Sequence, residues 1–376
     1  MRGLVRRLAA VLGVSALCAM TGCAGFWVYP GTASSSTGTG STTGDYVYVA
    51  NSTSLSISGF AVGSTGALSP VTGSPVSISS APTAMVVNHA NSILFVANSS
   101  AIYAYSISSN GALTALNSGS AVATAVISAM DVSPDGNMLY ALDENSLLLR
   151  GFTINNSTGA LSESTDGNLT SLPSTISAVS SQAVKVAPNG GSVFVALGSA
   201  GDMFFPVTND TLGTGTPFGY ISKLNSDNAI TVDPTSAYIY IARSGNNGGL
   251  AVYSASNLSL NTNPYPAGNG PYSVVTNFAG SDVYVANRTD GNISGFSVTS
   301  SSTSVSLTSL STSPYSSGSG VNGLAADKSG DYLLAINSGG SPGLSMYSYD
   351  STTSGALDPA ASATTGSGTI TIAATH

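Results

Sequence analysis

The chain has 376 residues, carries a formal net charge of −8 and is only 7% charged, where ordinary soluble domains reach about a quarter. Nine basic residues against seventeen acidic ones leave no basic stripe to displace counterions from a phosphate backbone, which argues against nucleic-acid binding. Two cysteines and two histidines are too few for a disulfide framework or a His-rich zinc site, so neither metal nor other cofactor is expected.

Residues 1–22 read as an export signal: Arg2, Arg6 and Arg7 make a positive start, and the apolar run from Leu8 to Met20 is too short to span a bilayer. The run ends in Met20-Thr21-Gly22-Cys23, which resembles the bacterial lipobox, in which the cysteine is lipidated and becomes the mature N-terminus. An ordinary secretory signal cleaved nearby is the alternative. Lipidation at Cys23 implies a membrane anchor, because several acyl chains hold a protein where a single one does so only marginally. Ala24 is not the Asp that family knowledge links to inner-membrane retention, so an outer-membrane location is expected. Cys18 would leave with the signal, and no thiol would remain in the body of the protein. Losing three arginines leaves six basic residues against seventeen acidic ones, a formal charge of −11 on the exported part.

Residues 23–44 are mostly Ser, Thr and Gly after the aromatic group Phe26, Trp27 and Tyr29, a composition too poor in apolar area to offset ordering entropy. They read as a tether.

From Asp45 to His376 a five-residue strand recurs: VYVAN from Val47, LFVAN from Leu94, LYALD from Leu139, VFVAL from Val193, IYIAR from Ile239, VYVAN from Val283 and LLAIN from Leu333. The starts are 47, 45, 54, 46, 44 and 50 residues apart. A period of that size marks a repeat architecture and accommodates four short strands with their turns. The six later copies are each preceded by a β-rich segment and a turn such as Ser133-Pro134-Asp135-Gly136, where proline presets one turn angle and glycine accepts the left-handed one. Each copy is followed by an alternating strand such as Ile57-Ser58-Gly59-Phe60, and four copies then carry Gly-Ala-Leu, at Gly66, Gly111, Gly159 and Gly355.

The ends predict closure. The repeat region begins on a second strand, Tyr46 to Ala50, and finishes on Ile370-Thr371-Ile372, which has the pattern of an innermost strand. The two would complete one blade and remove the open edges of a linear array. The fold class is therefore all-β: a seven-bladed β-propeller with four-stranded blades, its ring closed by the C-terminal strand pairing into the N-terminal blade. A monomer is expected.

These motifs, with Gly73-Ser74-Pro75, resemble the lactonase-type seven-bladed propellers related to bacterial 6-phosphogluconolactonase and the cycloisomerase 2 group. The resemblance covers essentially the whole exported part and identifies a scaffold better than a chemistry. It implies a ligand site at one mouth of the central channel, formed by the residues before the inner strands and those after the second strands. The first set is Thr83, Ser128, Gln182, Asn228, Tyr272, Asn322 and Gly368, none of which can act as a general base near neutral pH. The second is Asn51, Asn98, Asp143, Leu197, Arg243, Asn287 and Asn337, with Glu144 and Arg288 beside two of them.

Asp143 or Glu144 as base, with Arg243 and Arg288 as clamp, would be the least machinery for metal-free lactone hydrolysis by an activated water. The alternative is that the asparagines hold turns and the arginines pair with local carboxylates. Asn51, Asn98, Gln182, Asn228, Tyr272, Asn287, Asn322 and Asn337 are the candidate ligand-binding set. Asp131 and Lys185 share one inner-strand position in consecutive blades and are expected to form a structural ion pair, and His89 falls in a turn expected at the opposite mouth. The leading expectation is a non-catalytic binding or scaffold propeller of the cell envelope, offering a neutral polar mouth to a glycan or an envelope protein. A lactone hydrolase acting on a small sugar-type lactone is the alternative.

Overall fold

In a computed structural model of the chain, the described residues are 44–143, 145–168, 183–219, 224–246, 248–301, 304–339 and 341–376. The recurring five-residue segments become buried second strands, among them Tyr46–Asn51, Ile93–Asn98, Met138–Asp143 and Asp282–Asn287, each buried at every position. They are buried because each blade is sandwiched between two others. Alternate residues of a strand point to opposite faces, so Tyr48 and Ala50 pack toward the second blade while Val47 and Val49 pack toward the seventh. The apolar interior is thus a set of wedges between consecutive blades, seven among the described residues, rather than one central core.

Seven antiparallel sheets make the ring, each running outward from an inner strand: Thr369–Ala374, Pro82–Val87, Ile127–Val132, Ala183–Val186, Asn225–Val232, Pro271–Thr276 and Val321–Ala326. Each inner strand lies beside that of the next blade, and the seventh lies beside the first. Closure is as the sequence predicts: Thr369–Ala374 pairs antiparallel with Tyr46–Asn51, Ile372 opposite Val49 and Ala373 opposite Tyr48. The fifth sheet departs from four strands. Beyond Gly249–Ser254 its outer position is held only by the bridges Leu250 to Tyr265 and Tyr253 to Leu260, where Pro264 and Pro266 lack the N–H groups a ladder needs.

The two commonest motifs are joined by a hydrogen bond between blades. Tyr48 Oη donates to the Gly111 carbonyl of the second blade's Gly-Ala-Leu at 2.8 Å, and Tyr284 Oη does the same to Gly355 of the seventh blade at 2.7 Å. Gly111 has φ +78°, and a Cβ there would lie 2.5 Å from the Tyr46 ring. Glycine is required both for the left-handed turn and for the tyrosine above it. The Ser-Pro-Asp-Gly turn also forms as predicted, Gly136 N donating to Ser133 O at 2.9 Å with φ +75°.

Candidate functional site: the central channel

The seven inner strands enclose a channel cavity of about 830 Å³. At the mouth where these strands begin, six of the seven blades carry the same irregularity, one extra residue in the inner strand: Thr83, Ser128, Asn228, Tyr272, Asn322 and Ile370. A β-bulge re-aims the side chain of its extra residue, and each of the six lines the channel. Five are members of the mouth set read from the sequence. The sixth is a correction: the first blade places Ile370 there rather than Gly368, because its inner strand pairs two residues further along than the pattern Ile370-Thr371-Ile372 suggests. Gln182, Glu144 and Cys23 lie outside the described residues, as do the signal and almost all of the tether.

Three of the bulge side chains tie the rim together. Thr83 Oγ1 donates to Ile127 O at 2.5 Å, Asn228 Nδ2 to Pro271 O at 2.7 Å, and Asn322 Nδ2 to Thr369 O at 2.9 Å. Each bond reaches the carbonyl just before the next blade's own bulge, so the rim is preorganised by its own neutral hydrogen bonds. Tyr272 carries the exposed Arg288 guanidinium over its ring, 4.7 Å from the centroid, a cation–π contact.

The second set is turned away from the channel. Asn51 Nδ2 donates to Ser56 O at 3.2 Å and Ser58 Oγ at 3.1 Å, and Asn287 Nδ2 to Asn292 Oδ1 at 2.8 Å and Ser294 Oγ at 2.9 Å. Asn337 Oδ1 accepts Gly318 N at 3.0 Å, and Asn98 Oδ1 accepts Ala101 N at 2.9 Å. Asn98 also borders a groove of about 290 Å³ between the first two blades. All four hold turns through side-chain-to-backbone or local side-chain bonds.

The proposed hydrolytic group is not assembled. Asp143 is buried, its Oδ1 accepting Asn145 N and Ser146 N at 3.1 Å and its Oδ2 facing Arg150 Nη1 at 3.2 Å. Arg243 is buried in the fifth blade in a bidentate pair with Asp227, at 2.6 and 2.8 Å, and also reaches Tyr253 Oη at 3.0 Å. Of the described members of the group, only Arg288 stands at the mouth.

What the sequence did not signal is Asp202, fully buried at the start of the fourth blade's strand Asp202–Thr208. Neither of its carboxyl oxygens meets an N–H or O–H donor. Burial, and then the Asp227 carboxylate beside it, raise its pKa well above the ordinary range. A proton on Asp202 donated to Asp227 gives the two acids one shared hydrogen bond and leaves Asp227 to pair with Arg243.

The channel's own charges lie toward the far end. Lys185 Nζ is 2.9 Å from Asp131 Oδ2, as the shared strand position predicts, and His89 and His376 line the same cavity. No group of three or more His, Cys, Asp or Glu side chains among the described residues is placed to hold a metal ion.

No protein-family model matches the chain, and neither does any curated protein sequence. Solved structures do. A Bacteroides uniformis protein provisionally assigned as a 6-phosphogluconolactonase aligns with TM-score 0.70 at 16% identity, covering 89% of this chain and 100% of that one. The periplasmic gluconolactonase of Pseudomonas aeruginosa aligns with TM-score 0.68 at 16% identity over 88% and 99% of the two chains. A Lactobacillus plantarum protein aligns with TM-score 0.68 at 15% identity over 89% and 99%. At these identities the likeness speaks for the fold alone: this chain is a seven-bladed β-propeller, similar in fold to those proteins.

Proposed function

We propose that the protein is an exported, lipid-anchored binding propeller of the cell envelope, whose channel mouth takes a neutral hydroxyl-rich ligand, such as a short glycan, without turning it over. The observation that carries this reading is the ring of bulge residues, in which Thr83, Ser128, Asn228, Tyr272 and Asn322 offer uncharged hydrogen-bonding groups. Asp143 and Arg243, the charged pair that hydrolysis needed, are tied up in turns and ion pairs away from the channel. The tyrosine adds an apolar ring face of the kind sugar rings stack on, with hydroxyl and amide partners around it. The export signal and Cys23 support the envelope location. A rigid envelope block with no ligand is the limiting case of the same reading.

Lactone hydrolysis is the second reading. It is supported by the fold shared with a periplasmic gluconolactonase and by ionisable groups inside the channel, His89, Asp131 and Lys185. Both readings are tested on the chain from Cys23 onward, unacylated. Sugar lactones are expected to decay at the buffer rate in its presence, and neutral oligosaccharides on an array to be retained saturably by wild type and lost by Tyr272→Ala. Lactone loss above the buffer rate that disappears in Lys185→Gln would replace the binding reading with an enzyme.

A further inference from the structure

The second blade departs from the repeat on the side it turns to the first. In the first, sixth and seventh blades the third strand carries Ser58, Ser294 and Ser345 opposite the middle of the recurring segment, at Val49, Val285 and Ala335. Each serine accepts the amide Nδ2 of the asparagine that ends the segment, from Asn51 at 3.1 Å, Asn287 at 2.9 Å and Asn337 at 3.2 Å. In the second blade the same place, opposite Val96, holds Tyr103. Asn98 has no such serine and donates instead to Ser80 Oγ at 2.6 Å, on the segment that arrives from the first blade. Two residues on, Tyr105 stands opposite Leu94, where other blades have Phe60, Phe152 and Phe296. Residues two apart in a strand share a face, and both tyrosines line the groove of about 290 Å³ between the first two blades.

These two rings bring unspent hydrogen-bonding capacity. Tyr253 and Tyr347 share the Tyr105 position and engage their hydroxyls, Tyr253 Oη accepting from Arg243 at 3.0 Å and Tyr347 Oη donating to Ser316 O at 2.8 Å. Neither Tyr103 Oη nor Tyr105 Oη has a hydrogen-bond partner among the described residues, and both side chains are only partly buried. Burial, and then Tyr103 beside it, raise the Tyr105 pKa, which keeps that phenol a neutral donor. The walls are apolar at Val76, Ile78 and Val96 and carry hydroxyls at Ser77 and Ser79, and no charged side chain among the described residues lines the groove. The outer edge of the third strand is already used: Ile102 N donates to Ala123 O at 2.9 Å, Ile102 O accepts Val122 N at 2.8 Å, and Ala104 O accepts Leu116 N at 2.8 Å. An extended peptide therefore finds no strand edge there to pair with. Ligand pockets span about 300–1,000 Å³, and this volume lies at the bottom of that range. Aromatic rings, neutral hydroxyls and a small space fit one pyranose ring, whose face is C–H and whose edge is hydroxyl.

We propose that the groove between the first two blades is a second binding site, for a single neutral sugar ring, with Tyr103 and Tyr105 as its aromatic wall and their hydroxyls as its hydrogen-bonding partners. Tyr103 defines the site, because it stands where the repeat elsewhere has a small serine already bonded to its own asparagine. The proposal shares with the glycan-binding reading above only the class of ligand, and its residues are not those of the bulge ring. Pro82 lines both the groove and the channel, so the two sites are neighbours across that residue.

The test uses the chain from Cys23 onward with its tyrosine rings labelled for NMR, the Tyr103 and Tyr105 signals being assigned from the variants. Methyl glucoside, methyl galactoside and methyl N-acetylglucosaminide are the probes, with sodium acetate as charged control and an oligoproline peptide as the rival ligand for an aromatic groove. At least one glycoside is expected to shift both rings saturably. Its dissociation constant should be on the order of millimolar, as a ligand of about a dozen heavy atoms allows, too weak for retention on an array. Tyr103→Ser gives the second blade the serine of the others, so it should fold and should weaken binding about tenfold or more, read at Tyr105. Tyr105→Phe removes one hydroxyl and should weaken binding about fivefold, the worth of one hydrogen bond. Tyr272→Ala should leave the response intact, and groove shifts that persist when array retention fails would support this site while removing the rim. Rings unmoved by every glycoside at concentrations that saturate a millimolar site, shifts that acetate reproduces, saturation by oligoproline at lower concentration, or a response lost in Tyr272→Ala but kept in Tyr103→Ser would each overturn the proposal. The last of these would leave the channel-mouth reading standing.

Discussion

The third and fifth blades place an ionised side chain at the same point of the repeat, near the end of the second strand, bury it equally, and pair it with partners in opposite surroundings. In the third blade Asp143 pairs with Arg150, which forks to Glu163 at 2.5 and 2.6 Å on a half-open surface. In the fifth, Arg243 points into the seam with the fourth blade and pairs with the fully buried Asp227, beside which lies a second fully buried acid, Asp202. One residue type per blade position therefore says little about environment. What decides is whether the neighbouring blade covers the partner: the turn over residues 197–201 lies over Asp227, its Gly198 and Asp227 exchanging backbone bonds at 3.2 Å.

Removing Arg243 should have the largest effect. Arg243→Leu strands Asp227 in the seam, and urea unfolding should show a loss of about 3–5 kcal/mol, the usual scale for breaking a buried pair from one side. A loss below 1 kcal/mol would mean that water reaches the seam. Next comes Asp202→Asn, whose amide can donate to Asp227 as the protonated acid does. Because the Asp202 pKa is raised in the folded protein, its contribution is whole below an unfolded carboxyl value near 3.9 and fades as pH rises toward the folded value. The variant should thus gain about 1–3 kcal/mol on wild type near neutral pH, the range for relieving one buried unsatisfied group, and nothing at pH 4. A parallel pair of stability curves would show that Asp202 does not hold a proton.

The closing seam offers a milder version of the same chemistry. Burial, and then contact with Asp327, raise the Asp45 pKa to about 7. Wild type should lose stability relative to Asp45→Asn as pH climbs from about 4 through 7, which thermal melts across that range would read. The smallest effect is expected at Arg150. Arg150→Gln should cost about 1 kcal/mol or less, and high salt should shrink the difference between the proteins. If it matched Arg243→Leu, the two blades would not differ as described.

Part of the site was legible in the residues and part was not. The turn-holding role of Asn51, Asn98, Asn287 and Asn337 follows from short-range chemistry, since each bonds backbone or side chains close in sequence or in the adjoining turn. The Asp131–Lys185 pair was legible too, because equal strand positions in consecutive blades face the same channel. Gly368 was misplaced because an alternating apolar pattern fits two registers two residues apart, and only pairing with Tyr46–Asn51 chooses between them. Asp202 gave no sign, because its partners stand 25 and 41 residues away, in the next blade.

By itself the sequence determined the blade number, the strand order and the closure of the ring. Period, strand alternation and turn chemistry are local properties, written into each repeat of about 47 residues, and seven copies suffice to state them. Only the tertiary structure decided which side chains reach the channel. Direction there depends on a bulge of one residue and on what the adjoining blade covers, and both are set by packing between segments that the chain itself keeps far apart.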